Sequence, residues 1–171
     1  MIYRAVYHSP LGEMYMVSDG KNLMALDFVE VVPERPLGEQ AEKLDASLTV
    51  FATVRQWLDS YFQGGRPDFL PPLSLEGTPF RRAVWDIMRR IPYGMTVSYG
   101  KIAADVADIL GKRRMSAQAV GGAVGHNPIA IIVPCHRVVG SDGSLTGYAG
   151  GLWRKKYLLE LEGIHGGQLA R

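Results

Sequence analysis

Through the first 30 residues, short apolar stretches alternate with turn formers. Tyr3-Arg4-Ala5-Val6-Tyr7 runs into Ser9-Pro10-Leu11-Gly12, Met14-Tyr15-Met16-Val17 comes next, and Asp19-Gly20-Lys21-Asn22 leads to Leu23 through Val29. Stretches of this kind between such turns predict a hairpin and a third strand, the simplest arrangement being a three-stranded antiparallel sheet. Residues 30–40 hold Pro33, Pro36 and Gly38 among charges and predict a loop. The period then changes. From about 45 to 62, Leu48, Phe51, Val54, Trp57, Leu58 and Tyr61 recur on one face of a helix. Gly64-Gly65-Arg66-Pro67 ends it, and Pro71-Pro72 stiffens the chain beyond.

The second half reads as a series of short helices. Thr78 is a helix cap followed by Pro79 in the first turn, with Phe80, Val84, Ile87, Met88 and Ile91 as the apolar stripe and Pro92-Tyr93-Gly94 as the stop. Ser98 caps a second helix with Ile102, Ala103 and Val106 inward, and Gly111-Lys112-Arg113-Arg114 breaks it. Ser116 caps a third, from Ala117 to about Gly125. Two short helices joined by a tight basic turn have the form of a helix-turn-helix, a form that many helix pairs share without binding anything. Ile129 to Val133 is too short for a helix and predicts a buried strand. A last helix is expected from Trp153 to Glu162, with Trp153, Tyr157, Leu158 and Leu161 inward.

These elements predict an α+β protein. A small N-terminal sheet-plus-helix domain over 1–75 precedes a mostly helical domain over 76–171 with a helix-turn-helix, and the boundary falls between about 70 and 77. Charge changes sign there: residues 1–75 carry 6 basic and 10 acidic side chains, residues 76–171 carry 13 and 7, and the whole chain of 171 residues has a net charge of +2. A basic C-terminal half is compatible with a polyanionic partner and equally with none. No apolar run is long enough to span a bilayer, and Met1-Ile2-Tyr3-Arg4 lacks the form of a signal peptide, so no membrane association is expected. The only cysteine is Cys135, which excludes an intramolecular disulfide and a multi-cysteine zinc site and suggests a reducing, cytoplasmic setting.

Cys135 is therefore the candidate nucleophile. A free cysteine beside an apolar strand is more often a small inert core residue. His136 and Arg137 beside it favour thiolate, the reactive form. In a strand, residues 135 and 136 point to opposite faces, so His136 reaches the sulfur only if the chain turns at Pro134. Glu162 can orient a histidine in a Cys-His-Glu relay, or simply be an exposed carboxylate at a helix end. Lys112, Arg113 and Arg114 suit phosphate contacts or a solvated turn. Tyr99 and Tyr148 can stack on a base or do nothing of the kind. Gly121, Gly122 and Gly125 sit in a predicted helix at a cost of about 1 kcal/mol each, which implies close approach of another helix or of a ligand.

Pro134-Cys135-His136-Arg137-Val138 closely resembles the active-site segment of the O6-alkylguanine-DNA alkyltransferases, also called methylated-DNA–protein-cysteine methyltransferases. The resemblance extends over Gly77-Thr78-Pro79-Phe80, Val84-Trp85, Ile91-Pro92-Tyr93-Gly94, Val97-Ser98-Tyr99-Gly100 and Ala119-Val120-Gly121-Gly122-Ala123. It continues through Asn127-Pro128, Gly147-Tyr148-Ala149-Gly150-Gly151 and Leu161-Glu162-Gly163, about residues 76–163 in all. It implies one-turnover transfer of an alkyl group from O6-alkylguanine, flipped out of double-stranded DNA, to Cys135, with O4-alkylthymine left open as a second substrate. By the same resemblance His136 takes the thiol proton through water, Glu162 holds the histidine, Tyr99 donates to the flipped base, and Asn127 braces the active-site segment. Backbone groups of Cys135 and Val138 read the base, and Tyr148-Ala149-Gly150 closes over it. The helix beginning at Ser116 lies in the minor groove, where Ala117, Ala119, Gly121 and Gly122 permit close approach, with Arg113 and Arg114 at the turn. No cofactor, no metal and a monomer are expected.

Gln118 departs from the pattern, since many members carry an arginine there that fills the gap left by the extruded base. Glutamine lacks its charge and stacks less well. Ala149 stands where some relatives have serine. Two other classes compete: a lesion-binding module, against which Cys135 argues, and a Cys-His hydrolase or thiol transferase, which would leave the basic turn and small-residue helix unexplained. A transcription factor is a third, but no segment is spare for a regulatory domain.

Overall fold

The structure is a computed structural model that describes residues 1–31, 42–44 and 47–165. The chain divides into two compact units, Met1–Leu75 and Glu76–Arg171.

In the first unit, β1 (Ile2–Ser9), β2 (Gly12–Ser18) and β3 (Leu23–Phe28) form the expected antiparallel meander. Ser9 makes the first turn, its hydroxyl donating to the Gly12 carbonyl at 2.6 Å and accepting from the Leu11 amide at 3.1 Å. In the second turn one carboxylate oxygen of Asp19 accepts the amides of Lys21 and Asn22. A fourth strand, β4 (Glu42–Leu44), corrects the three-stranded expectation: it pairs parallel to β1 and gives the order β3-β2-β1-β4. Three residues, two of them charged, leave no readable period. The predicted loop over 30–40 lies outside the described residues from position 32 onward. The helix α1 (Thr49–Phe62) buries Phe51, Val54, Trp57, Leu58 and Tyr61 as its spacing predicts. The Tyr7 hydroxyl donates to Asp59 at 2.7 Å and ties sheet to helix.

In the second unit all three predicted caps form. The side chains of Thr78, Ser98 and Ser116 accept amides of the first turns of α2 (Pro79–Arg89), α3 (Tyr99–Ile109) and α4 (Ala117–Gly125). These helices pack on one another around Val84, Trp85, Met88, Ile102, Val106, Val120 and Val124. The Trp85 indole donates to the Ala123 carbonyl at 2.9 Å. A side chain at Gly77 would lie 2.7 Å from the Trp85 ring, so only glycine fits ahead of the Thr78 cap. Gly111, at φ +65°, ends α3, and the Lys112 amide bonds back to the Ala107 carbonyl at 2.8 Å.

Two expectations are corrected here. Ile129–Val133 is a buried turn rather than a strand, closed by bonds from Val133 to Ile129 and from Ile132 to Ala130, with Ile131 at φ +67°. The run is apolar because it is enclosed, not because it is extended. The last helix, α5 (Leu152–Leu161), buries Arg154, Lys155, Leu158 and Leu159, whereas Trp153 and Tyr157 face outward at 58% and 38% exposure. Helical periodicity alone favours aromatic residues inward. Here two cations displace them because each has backbone carbonyls to bind. A two-residue parallel pairing of β5 (Val97–Ser98) with β6 (Val138–Val139) was also not legible in the sequence.

Candidate active site

Pro134 leads into a single 3-10 turn, Cys135–Arg137. That turn, rather than a strand, decides where the side chains point, and it packs against α5. Cys135 is 8% exposed and its amide donates to the Val133 carbonyl at 2.8 Å. His136 is fully buried, with Nε2 2.6 Å from Glu162 Oε2. The sequence did not require this contact across 26 residues, but the packing of α5 on the turn supplies it.

Glu162 is the hub of a buried network. Besides His136, its carboxylate accepts from Arg137 Nε at 2.8 Å, Arg137 Nη2 at 3.1 Å and the Gly94 amide at 3.0 Å. Arg137 also donates to the Ile91 carbonyl at 2.7 Å and lies over the Tyr93 ring. Burial alone would raise the Glu162 carboxyl, but bonds and charge from His136 and Arg137 outweigh it and hold the group well below the usual carboxylate range. Burial pushes His136 below the ordinary histidine value despite Glu162 beside it. Neutral His136 donating through Nε2 to the carboxylate carries its lone pair on Nδ1, the tautomer a base needs. Arg137 enters the sequence reading only as a cationic neighbour of the thiol; its part in holding Glu162 needs the tertiary contact.

Asn127 braces the turn that precedes Cys135. Its Nδ2 donates to the carbonyls of Ile129 and Val133 at 3.1 and 2.8 Å, and its Oδ1 accepts the Ile129 amide at 3.1 Å. These bonds span Ile131, whose left-handed backbone is strained for a β-branched residue.

The β5–β6 pairing sets the start of α3 beside the active turn. There the Tyr99 hydroxyl donates to the Thr146 carbonyl at 2.9 Å, and burial raises its pKa. Lys155, fully buried, donates through Nζ to the carbonyls of Val138 at 2.6 Å and Thr146 at 3.0 Å. Arg154 donates to the Gly150 carbonyl at 2.9 Å. Two adjacent cations of α5 thus grip both ends of the segment 146–150. Neither stands out in the sequence, where nothing separates them from a solvated basic pair.

An open cavity of about 910 Å³ lies between α4 and this segment, lined among others by Tyr99, Ala117, Gln118, Gly121, Tyr148 and Ala149. Cys135 and Val138 are not part of that lining. Val138 is fully buried and its carbonyl is already held by Lys155. Gly150 is buried, whereas Ala149 is exposed. Arg113, Arg114, Ser116, Ala117, Gln118, Ala119 and Gly122 are exposed along the basic turn and the outer face of α4. The glycines of that helix are not explained by helix packing: a side chain at Gly122 or Gly125 would meet open space, and at Gly121 only the Tyr99 ring at 3.9 Å. Among the described residues no cluster of His, Cys, Asp or Glu is arranged for a metal ion, and no helix is long and apolar enough to cross a membrane.

A cysteine at a tight turn, a buried His–carboxylate pair and a helix-turn-helix beside an open cavity define a protein with a thiol centre next to a candidate nucleic-acid surface, and comparison with known proteins gives the family. Residues 2–75 match the ribonuclease-like domain, and residues 79–164 the DNA binding domain, of 6-O-methylguanine DNA methyltransferase, and the chain belongs to that family. It is 40% identical over 166 residues to the methylated-DNA–protein-cysteine methyltransferase of Haemophilus influenzae, covering 95% of this chain and 87% of the relative. It is 39% identical to that of Methanosarcina acetivorans, covering 95% and 99%. The crystal structure of Mycobacterium tuberculosis OGT in complex with DNA superposes with a TM-score of 0.81 at 39% identity, over 98% of this chain and 94% of that one. Mycobacterium tuberculosis O6-methylguanine methyltransferase gives 0.80 at 42%, over 95% and 93%. These structures share the α+β architecture described above.

Proposed function

We propose that this protein repairs alkylated DNA by direct reversal, taking the alkyl group of O6-alkylguanine onto Cys135 in a single irreversible turnover. The observation that carries the reading is the Cys135–Arg137 turn, with His136 held by Glu162 at 2.6 Å. The thiol proton passes through water to Nδ1 of His136, and the imidazolium that forms is stabilised by the Glu162 carboxylate. The thiolate attacks the alkyl carbon from behind, the S–C bond forms as the C–O6 bond breaks, and the electron pair leaves with the guanine. Tyr99 donates a hydrogen bond to the departing guanine and stabilises the negative charge it takes up; the base then gains a proton from water, and the His136 imidazolium returns the thiol proton to that water. The thioether has no good leaving group, so the protein is consumed.

In-line attack requires the base out of the helical stack. The partner is double-stranded DNA bound by a monomer, with α4 in the minor groove. The side-chain-poor face of Ala117 and Gly122, both exposed, and half-buried Gly121 supports close approach to the groove walls, and Ser116 caps that helix by accepting the Ala119 amide. Arg113 and Arg114 contact phosphates. Gln118, on the cavity rim, bonds to the orphaned base in place of a longer cation. Tyr148, Ala149 and Gly150 close over the flipped base, and Asn127 keeps the active turn in register. A lone catalytic thiol also suits a reducing cytoplasm.

The test is intact-protein and peptide mass spectrometry after incubation with a duplex containing O6-methylguanine. A gain of one methylene on the Cys135 peptide, saturating at one per protein and absent from Cys135→Ala, is expected. Binding to the damaged duplex without any gain would mean a lesion-binding protein with an idle cysteine. Neither binding nor gain would remove the reading and leave Cys135 to be tried against other electrophiles.

A further inference from the structure

One carbonyl in the site serves two donors. The Thr146 oxygen accepts from the Tyr99 hydroxyl at 2.9 Å and from Lys155 Nζ at 3.0 Å. Lys155 is itself anchored at 2.6 Å to the carbonyl of Val138, three residues past Cys135. Its ammonium also lies 5.9 Å from the centre of the Tyr99 ring. A fully buried lysine whose direct bonds are to backbone carbonyls is costly, and burial pushes its pKa down to about 8. Such a group persists where it does something an apolar residue of the same length would not.

Tyr99 cannot donate its single hydroxyl proton both to Thr146 and to a base in the cavity. Engaging the base means leaving the Thr146 carbonyl, at the moment when the base displaces water from a cavity that Tyr99 and Thr146 both line. A carbonyl stripped of its donors and of water opposes that exchange. We infer that Lys155 is a positioning residue that keeps the Thr146 carbonyl hydrogen-bonded while Tyr99 transfers its hydroxyl from that carbonyl to the flipped base. The anchor on Val138 holds Lys155 in place throughout, so the closing segment stays tied to the active turn as Tyr99 moves. The inference rests on the proposed alkyl transfer and adds a residue to it.

A double-mutant cycle tests it, with single-turnover transfer from an O6-methylguanine duplex as the rate and duplex affinity measured alongside. Lys155→Met should slow the saturated rate on the order of tenfold while changing duplex affinity by less than about twofold. In a Tyr99→Phe background there is no hydroxyl to exchange, and the same substitution should change the rate by less than about threefold. A merely structural lysine predicts the opposite, because losing both donors of Thr146 would damage the doubly substituted protein most. Lys155→Gln is carried through the same cycle so that a folding failure of the methionine variant, read by circular dichroism, leaves the comparison intact. Rate effects that multiply in the double variants, or an unchanged rate in Lys155→Met, would overturn the inference. Absence of methyl transfer in the wild-type protein would instead overturn the reading on which it rests.

Discussion

Replacing Glu162 with glutamine removes one negative charge at almost constant volume and isolates the electrostatics of the buried network. Oε1 accepts from Arg137 Nε at 2.8 Å and Gly94 N at 3.0 Å; Oε2 accepts from His136 Nε2 at 2.6 Å and Arg137 Nη2 at 3.1 Å. A glutamine offers one acceptor oxygen and one amide nitrogen, so whichever way it turns, one of these pairs of donors faces an N–H group. In both orientations Arg137, 8% exposed, loses its counter-charge. Breaking a buried ion pair from one side costs about 3–5 kcal/mol, a large share of the roughly 5–15 kcal/mol that holds a domain folded. With the amide nitrogen toward His136, the imidazole must accept there and carry its proton on Nδ1, the nitrogen assigned to the thiol proton. Denaturant unfolding of the variant should show the loss of stability, and mass-resolved single turnover should show slower transfer. A variant within about 1 kcal/mol of the wild type that transfers at the wild-type rate would refute both the network and the relay.

Two further outcomes are expected. Gly122→Ala meets open space in the interior of α4, so it should stabilise the second unit by up to about 1 kcal/mol and yet weaken duplex binding; stabilisation without any loss of binding would take that helix face out of the interface. Lys155 has a folded pKa of about 8 against 10.5 for a free lysine. Between those values the unfolded chain holds more protons, so wild-type stability should rise with pH across that window, by about 3 kcal/mol in all. At neutral pH the same amount is a standing cost. Unfolding curves at pH 8 and pH 10.5 should show the rise in the wild type and its absence in Lys155→Met; parallel curves would mean that Lys155 titrates normally.

Much of this molecule was determined by the sequence itself, where the signal is local. The three serine and threonine caps, the apolar face of α1 and the turns at Gly12 and Asp19 depend on neighbours a few residues away, so spacing suffices to find them. The ordered motifs around Cys135 likewise carried the family resemblance. What spacing does not carry was decided by tertiary structure. Ile129–Val133 reads as a strand because burial, not extension, makes it apolar, and the Asn127 bonds that fold it into a turn are invisible in composition. Spacing alone leaves Glu162 open between a relay carboxylate and an exposed helix end, and the packing of α5 decides it by bringing Glu162 to His136 and Arg137. Trp153 and Tyr157 read as core until Arg154 and Lys155 find carbonyls to bind. In each case the deciding free energy is a polar group satisfied or left unsatisfied in a low-dielectric interior, which depends on what lies across the fold rather than along the chain.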